Sequence, residues 1–107
     1  MHMYVSDELK HNFEEREQAV LKLIDAAKLQ YVSVGVFGSY ARGEYKTSSD
    51  IDFCVIINER PSRAVIGLLR DDADELGAEI VFVSQEYFDN DMSPFAQNLR
   101  RDYRRLL

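Results

Sequence analysis

Two aspartates, Asp50 and Asp52, alternate at the start of the otherwise apolar run DIDFCVIIN. Side chains two residues apart on a β-strand point to the same face, so the two carboxylates stand next to each other. Like charges at that separation raise each other's pKa and cost free energy unless a cation lies between them. Mg²⁺ suits this position, because it is commonly held by one or two carboxylates together with substrate phosphates. Taken alone, the motif also fits a solvated pair in a loop that leads into a strand.

A glycine–serine pair, Gly38 and Ser39, closes the preceding apolar run and is separated from Asp50 by ten residues. Ala41 and Arg42 can begin a short helix just after it. Backbone N–H groups and a hydroxyl at a helix start suit a phosphate, and a glycine allows close approach to the backbone. We therefore expect a phosphate cradle and the carboxylates to meet at neighbouring strand ends. Arg42 fits a phosphate contact and a solvated position equally well, and the pair alone also fits an ordinary turn.

The remaining segments supply the elements that position these residues. Periodicity, capping residues and turn residues predict helix, strand, strand, helix, strand and helix in that order. Residues 85–92 are predicted to form a turn and a polar loop. This order predicts an α/β (α+β) fold with a small mixed β-sheet and helices packed on it. The predicted bounds are a helix over 7–29, strands over 31–37, 50–58 and 78–84, a helix from 61 to 77 and a last helix from 93 through 106.

Composition limits the classes of function. The chain has 107 residues, so we expect one domain over 1–107. Its net charge of −6 argues against direct DNA binding, which needs a basic field. The single cysteine, Cys54, excludes an internal disulfide and is expected to be buried. No apolar run is long enough for a membrane span, which predicts a cytoplasmic protein. One basic cluster stands apart and is interpreted either as a solvated helix face or as a surface for a partner or RNA: Arg100, Arg101, Arg104 and Arg105.

The segment GSYARGEYKTSSDIDF, residues 38–53, resembles the signature of the DNA polymerase beta-like nucleotidyltransferase superfamily: Gly-Ser, ten residues, then Asp-x-Asp. The ARGE and SDIDF details look like its small bacterial branch, the minimal nucleotidyltransferases (MNT), and the resemblance covers nearly the whole chain. It implies the polymerase beta-like fold. It also implies that Gly38 and Ser39, with Arg42, bind the triphosphate of ATP, and that Asp50 and Asp52 hold Mg²⁺ in a two-metal catalytic site.

One position departs from the family pattern. The family usually carries a third carboxylate in its third strand, in a segment like VDLV, and the matching stretch here is EIVFVS. The register expected from the sequence puts Val81 at the position of that aspartate. Glu79 is two residues earlier on the same face, and we expect it to serve as the third catalytic carboxylate from one pleat away. The alternative is a solvated glutamate at the strand edge and a chain that catalyses poorly.

The resemblance also implies a partner, because this chain leaves no room for a second domain that would hold an acceptor. In the small branch the partner is typically a HEPN-domain toxin, and the MNT antitoxin transfers AMP to one of its tyrosines. We therefore expect an adenylyltransferase that acts as antitoxin, and the sequence is also compatible with a homo-oligomer. The alternatives are an inactive module that neutralises its partner by occlusion and a stand-alone transferase for a small hydroxylated molecule.

Overall fold

The computed structural model describes residues 5–107, which form a mixture of helices and strands. The mixed α/β architecture expected from the sequence is confirmed. No helix within the described range combines the length and the apolar character needed to cross a bilayer. The elements are α1 Asp7–Ala26, β1 Ser33–Phe37, α2 Gly38–Arg42, β2 Ile51–Ile57, α3 Arg63–Glu75, β3 Ala78–Ser84, α4 Gln85–Asn90, α5 Pro94–Asp102 and β4 Arg104–Arg105.

The sheet has the strand order β3-β2-β1-β4. β2 is parallel to β3 and antiparallel to β1, while β4 is antiparallel to β1. Alternation along the strands gives the sheet two unlike faces. The apolar face packs on α1 and α3, and its strand residues are Val34, Val36, Ile51, Phe53, Val55, Ile57, Ala78, Ile80 and Phe82. The charged face lies under α4 and α5, and it includes Phe37, Asp52, Cys54, Ile56, Glu79, Val81 and Val83.

Serine side chains fix where most of the helices begin. In each case the hydroxyl accepts a hydrogen bond from the backbone N–H three residues later, which satisfies a donor that the helix itself leaves unpaired. The N-cap residues are Ser6 of α1, Ser62 of α3, Ser84 of α4 and Ser93 of α5.

Two element bounds near the start of the chain differ from the prediction. The helix predicted over 7–29 ends at Ala26, and the strand predicted over 31–37 begins only at Ser33.

The end of the chain differs from the sequence-based expectation. The predicted last helix through 106 is wrong, because α5 ends at Asp102 and Arg104–Arg105 form β4 against β1. The Leu106 and Leu107 N–H groups donate to the Val34 carbonyl at 2.8 and 3.0 Å. Spacing of apolar residues alone could not show this, because the outer edge of β1 offers backbone partners that a longer helix would leave unpaired. The C-terminal segment thus completes the sheet.

The loop predicted over residues 85–92 is also wrong in part, because α4 occupies Gln85–Asn90. None of its residues is buried, so the segment has no apolar stripe from which a helix could be predicted. Ser84 provides the N-cap that starts it, and Arg100 of α5 anchors its end. The Arg100 guanidinium donates to the Phe88 and Asp91 carbonyls, each at 2.7 Å.

One arginine of α1 fixes the turn between α3 and β3. Arg16 donates to the Leu76 carbonyl at 2.9 Å and to the Gly77 carbonyl at 3.0 Å, and its guanidinium lies 4.2 Å from the centre of the Phe13 ring. Gly77 has a φ of +69°, and a Cβ there would collide with Arg16. The same Gly77 carbonyl accepts the Ile51 N–H at 3.0 Å, so this turn sets the register of β3 against β2.

Candidate active site

Three carboxylates lie at the end of the sheet where β2 and β3 begin. Asp50 is exposed and immediately precedes β2, whereas Asp52 is its second residue and is half-buried. The parallel register pairs Asp52 with Glu79. Because paired residues on neighbouring strands share a face, the Glu79 side chain stands beside that of Asp52 on the charged face. The structure therefore brings all three predicted carboxylates to one place.

The same register shows where Glu79 and Val81 lie relative to the aspartates. The sequence predicts Val81 at the family's third-carboxylate position and Glu79 two residues earlier on the same face. Glu79 is level with Asp52, and Val81 is level with Cys54, while a catalytic role of Glu79 stays a prediction. Val81 packs against the buried cluster of Cys54, Ile56 and Leu99. The sequence could not choose the register, because EIVFVS carries apolar residues on both faces. Cys54 is buried as predicted, and burial raises the pKa of its thiol to about 12.

Electrostatics at the site favour a cation. Burial, followed by the negative charges of Glu79 and Asp50, raises the pKa of Asp52 to about 6, against the opposing positive charge of Arg42. Carboxylate oxygens are the ligands that Mg²⁺ prefers, so the donor set fits this ion. Within residues 5–107 no group of three or more His, Cys, Asp or Glu side chains is arranged to hold a metal by itself. Waters and substrate oxygens would have to complete the coordination, as is usual for Mg²⁺.

The glycine–serine pair lies directly against these acids. α2 begins at Gly38, which has a φ of +73°, and its N-cap residue, Phe37, provides no side-chain hydrogen bond to the first turn. A Cβ added to Gly38 would lie 2.5 Å from Oδ2 of Asp52, so a larger residue would displace that carboxylate. Ser39 follows in the first turn of α2 and is partly exposed. The expected proximity of the Gly38–Ser39 turn and the carboxylates is observed.

Arg42, at the end of α2, is held by two acids. Its Nε donates to Glu44 at 3.2 Å, and its Nη1 donates to Asp102 of α5 at 2.6 Å. Its side chain remains 39% exposed. Since its charge also acts on the pKa of Asp52, the guanidinium lies within electrostatic reach of the carboxylates. Its contact with phosphates stays a prediction.

Two acidic residues that hold α2 were missed from the sequence. The Asp102 side chain is only 6% exposed and also accepts the Arg101 Nε at 3.0 Å. On the opposite flank of α2, the buried Glu17 of α1 accepts the Tyr40 hydroxyl at 3.1 Å. A signal existed for Glu17, because it continues the helical spacing of the buried α1 residues Phe13, Val20 and Ile24. No comparable signal marked Asp102, which stands among arginines in NLRRDYRR.

Two surface grooves flank the site. One of about 450 Å³ runs beside Glu79 and is also lined by Arg70, Asp71 and Asp74 of α3. A larger groove, of about 600 Å³, lies on the Glu17 side of α2, and none of the three carboxylates lines it. Of the three carboxylates, Glu79 alone lines the groove beside α3.

Comparison with known proteins shows which family the chain belongs to. The nucleotidyltransferase domain family matches residues 17–103. A structure described as that of a minimal nucleotidyltransferase shares 28% identity with a TM-score of 0.61, over 90% of this chain and 94% of that one. No match was found among curated proteins.

Two toxin–antitoxin complexes contain chains of the same fold. A chain from a complex with AMP-PNP has a TM-score of 0.62 at 21% identity, covering 85% of this chain and 72% of that one. A chain from the complex of a tri-AMPylated Shewanella oneidensis HEPN toxin with an MNT antitoxin has a TM-score of 0.58 at 18% identity, covering 88% of this chain and 71% of that one. The resemblance to the minimal nucleotidyltransferases is thereby confirmed, and the chain belongs to the nucleotidyltransferase domain family.

Proposed function

We propose that this protein is a Mg²⁺-dependent nucleotidyltransferase that transfers AMP from ATP to a hydroxyl of a partner protein. The acceptor is a tyrosine of a HEPN-type toxin, and the transfer makes the protein an antitoxin. The observation that carries the proposal is the meeting of Asp50, Asp52 and Glu79 with the Gly38–Ser39 turn at one end of the sheet.

Each residue has a role in this reaction. The Gly38 and Ser39 N–H groups, together with Arg42, bind the triphosphate, and Asp50 and Asp52 would hold Mg²⁺. Magnesium held there would neutralise phosphate charge and favour ionisation of the acceptor hydroxyl. The acceptor oxygen forms a bond to the α-phosphorus, and the bond from that phosphorus to the oxygen bridging to the β-phosphate breaks. Pyrophosphate leaves with the electron pair of that bond, and the hydroxyl proton passes to a carboxylate oxygen of Glu79.

The shape of the site favours an acceptor that another polypeptide presents. Asp50 and Glu79 are exposed and Glu79 borders an open surface groove, so a protruding side chain can reach these two acids from solvent. The similar chains in complexes of toxins with antitoxins, one with AMP-PNP and one with an AMPylated HEPN toxin, support a partner of this class. The proposal therefore concerns transfer between two proteins.

The direct test is incubation of the purified chain with labelled ATP, Mg²⁺ and the HEPN-domain protein encoded beside it. We expect label on the partner with the wild-type chain and a loss of at least about a thousandfold with Asp50→Ala combined with Asp52→Ala, because metal ligands carry the charge stabilisation. Equal transfer by the double variant, or no transfer by the wild type, would refute the enzymatic proposal.

A second candidate function is neutralisation by occlusion without transfer. The observation that favours it is Val81, an apolar side chain at the position where the resemblance leads us to expect the third carboxylate. Glu79→Gln separates the two functions, because it removes a base and a charge but keeps the shape. We expect transfer to fall by about a hundredfold, within the range for loss of a general base, with the protein complex intact. Glu75→Gln, at the exposed end of α3, is the matched control. Full protection from the toxin by Glu79→Gln without labelling would favour occlusion.

A further inference from the structure

The helix that follows the Gly38–Ser39 turn is anchored to the C-terminal part of the chain. α2 has only five residues, too few for a helix that is stable by itself. Arg42 at its end donates to Asp102 at 2.6 Å, and Asp102 also accepts from Arg101 at 3.0 Å. The Arg42–Asp102 bond joins α2 to the last turn of α5, and the Arg101 bond holds Asp102 in place.

The pairing leaves Arg42 with donors for a ligand. A guanidinium has five N–H groups. Nε is used on Glu44 and one Nη1 hydrogen on Asp102, so the two Nη2 hydrogens and one Nη1 hydrogen have no partner among the hydrogen bonds of residues 5–107. Arg42 can therefore keep its bond to Asp102 while it donates to an anion. Nothing in this geometry requires the ion pair to break when a nucleotide binds.

We propose that Asp102 is a positioning residue for nucleotide binding, which holds Arg42 in the orientation that donates to the phosphates of ATP. The proposal rests on the proposed function and adds to it a residue from the opposite end of the sequence. A free arginine side chain would lose rotamer freedom when it binds a phosphate, and a side chain ordered in advance loses less. Asp102 supplies that order.

The surroundings of Asp102 suit this role. Its carboxylate is almost completely buried and bonds two arginines, so its ionised form is favoured and its side chain is fixed. Arg101 stays with Asp102 while Arg42 donates its remaining hydrogens elsewhere. An exposed, mobile carboxylate would instead compete with phosphate for Arg42, which predicts the opposite effect on affinity.

The other flank of α2 has a matching anchor. Glu17 accepts the Tyr40 hydroxyl at 3.1 Å, and the Arg104 guanidinium lies 4.0 Å from the same carboxylate oxygen. Thus two residues of the basic cluster, Arg101 and Arg104, each bond or approach a buried acid that holds α2. The cluster is not one continuous helical face, and these two arginines make contacts within the chain although both side chains are more than half exposed.

The test is a double-mutant cycle in which MgATP binding to the full chain is measured by isothermal titration calorimetry without acceptor. We expect Asp102→Asn to weaken binding by about fivefold, within the usual range for coupled neighbours. Arg42→Ala weakens it by roughly tenfold or more. In the Arg42→Ala background the Asp102→Asn change should alter affinity by less than about twofold. Asp89→Asn, an exposed acid of α4, is the matched control and leaves binding unchanged.

Each result of the cycle decides the proposal. Unchanged or tighter MgATP binding by Asp102→Asn, or the same loss with and without Arg42, overturns the positioning role while the proposed function stands. No MgATP binding by the wild-type chain overturns both. Thermal unfolding shows whether each variant is folded, and if Asp102→Asn is not, Asp102→Glu provides the same cycle with the charge moved by one methylene.

Discussion

The two faces of the sheet differ in what they bury. The apolar face joins α1 and α3 through fully enclosed side chains such as Val36, Ile51 and Phe53. The charged face buries a smaller cluster around Cys54 and Leu99, and it places Asp52 and Glu79 next to each other at one end. Neighbouring residues of one strand therefore serve opposite purposes. The difference indicates that packing on the apolar face stabilises the fold and allows the charged face to hold acids that repel each other.

The largest expected effect comes from the apolar face. Phe53 is fully buried between the helices and the sheet, and Phe53→Ala should remove about 4 kcal/mol of unfolding free energy through lost burial and a cavity. Leu68 of α3 is 65% exposed, so Leu68→Ala should change it by less than about 0.5 kcal/mol. Urea denaturation measures both. A loss below about 1 kcal/mol for Phe53→Ala would show that this face does not dominate stability.

Replacing either of two glycines by alanine should change stability by an intermediate amount, with opposite signs at the two positions. Gly38 has a positive φ and touches Asp52, so Gly38→Ala should cost about 1–2 kcal/mol of stability and reduce AMP transfer at least tenfold, by roughly the same free energy. Gly67 lies inside α3 with open space around it, so Gly67→Ala should add about 0.5–1 kcal/mol. The two variants share one chemical change. Equal stability and activity for both would contradict the close contact between Gly38 and the acids.

The smallest expected effect is the change in stability when the charge of Asp52 is removed. The pKa of Asp52 rises from the ordinary 3.8 to about 6 in the folded chain. The protonated Asp52 carboxyl therefore contributes favourably to folding stability below pH 4. This contribution is lost as the pH rises through 6, because the folded chain then carries the unfavourable charge. Without metal, Asp52→Asn should therefore stabilise the chain at pH 8. A pKa shift of this size corresponds to a gain of about 3 kcal/mol in unfolding free energy, but screening by solvent reduces the gain to roughly 1 kcal/mol for a half-exposed group.

The measurement is urea denaturation in EDTA at pH 8 and pH 4. A gain at pH 8 that disappears at pH 4 is the expected pattern. A gain of the same size at both pH values would mean that the change acts through packing and that repulsion on the charged face is small. Glu86→Gln, an exposed acid of α4, is the control and should have no effect at either pH.

The apolar face was the more predictable of the two. The run DIDFCVII identifies β2, because a strand buried on both sides is apolar almost throughout. The run AEIVFVS identifies β3 through its β-forming residues. Ser62 and Ser93 marked the starts of α3 and α5 correctly, because a serine that caps a helix is a local signal. β4 and α4 were missed, since pairing with the edge of β1 and packing of a polar helix depend on contacts far along the chain.

The candidate site was predictable in composition but not in detail. The Gly38–Ser39 turn and the two aspartates were identified from their spacing, and they lie together. The alignment of Glu79 with Asp52 was not predicted, because the register of β3 depends on the turn at Gly77 and on Arg16 of α1. Asp102 was missed, because its partner Arg42 is sixty residues away. Local patterns thus indicate which groups take part, while tertiary contacts determine how they are aligned.

The arginine that fixes the α3–β3 turn has a consequence for insertions and deletions. Side chains alternate along β3, so a shift of one residue would bring Ala78 or Ile80 beside Asp52 and turn Glu79 toward α1 and α3. Arg16 binds the carbonyls on which that alignment depends. Length changes at this turn should therefore be excluded from active members of the family, even where single substitutions on the surface of α3 are accepted.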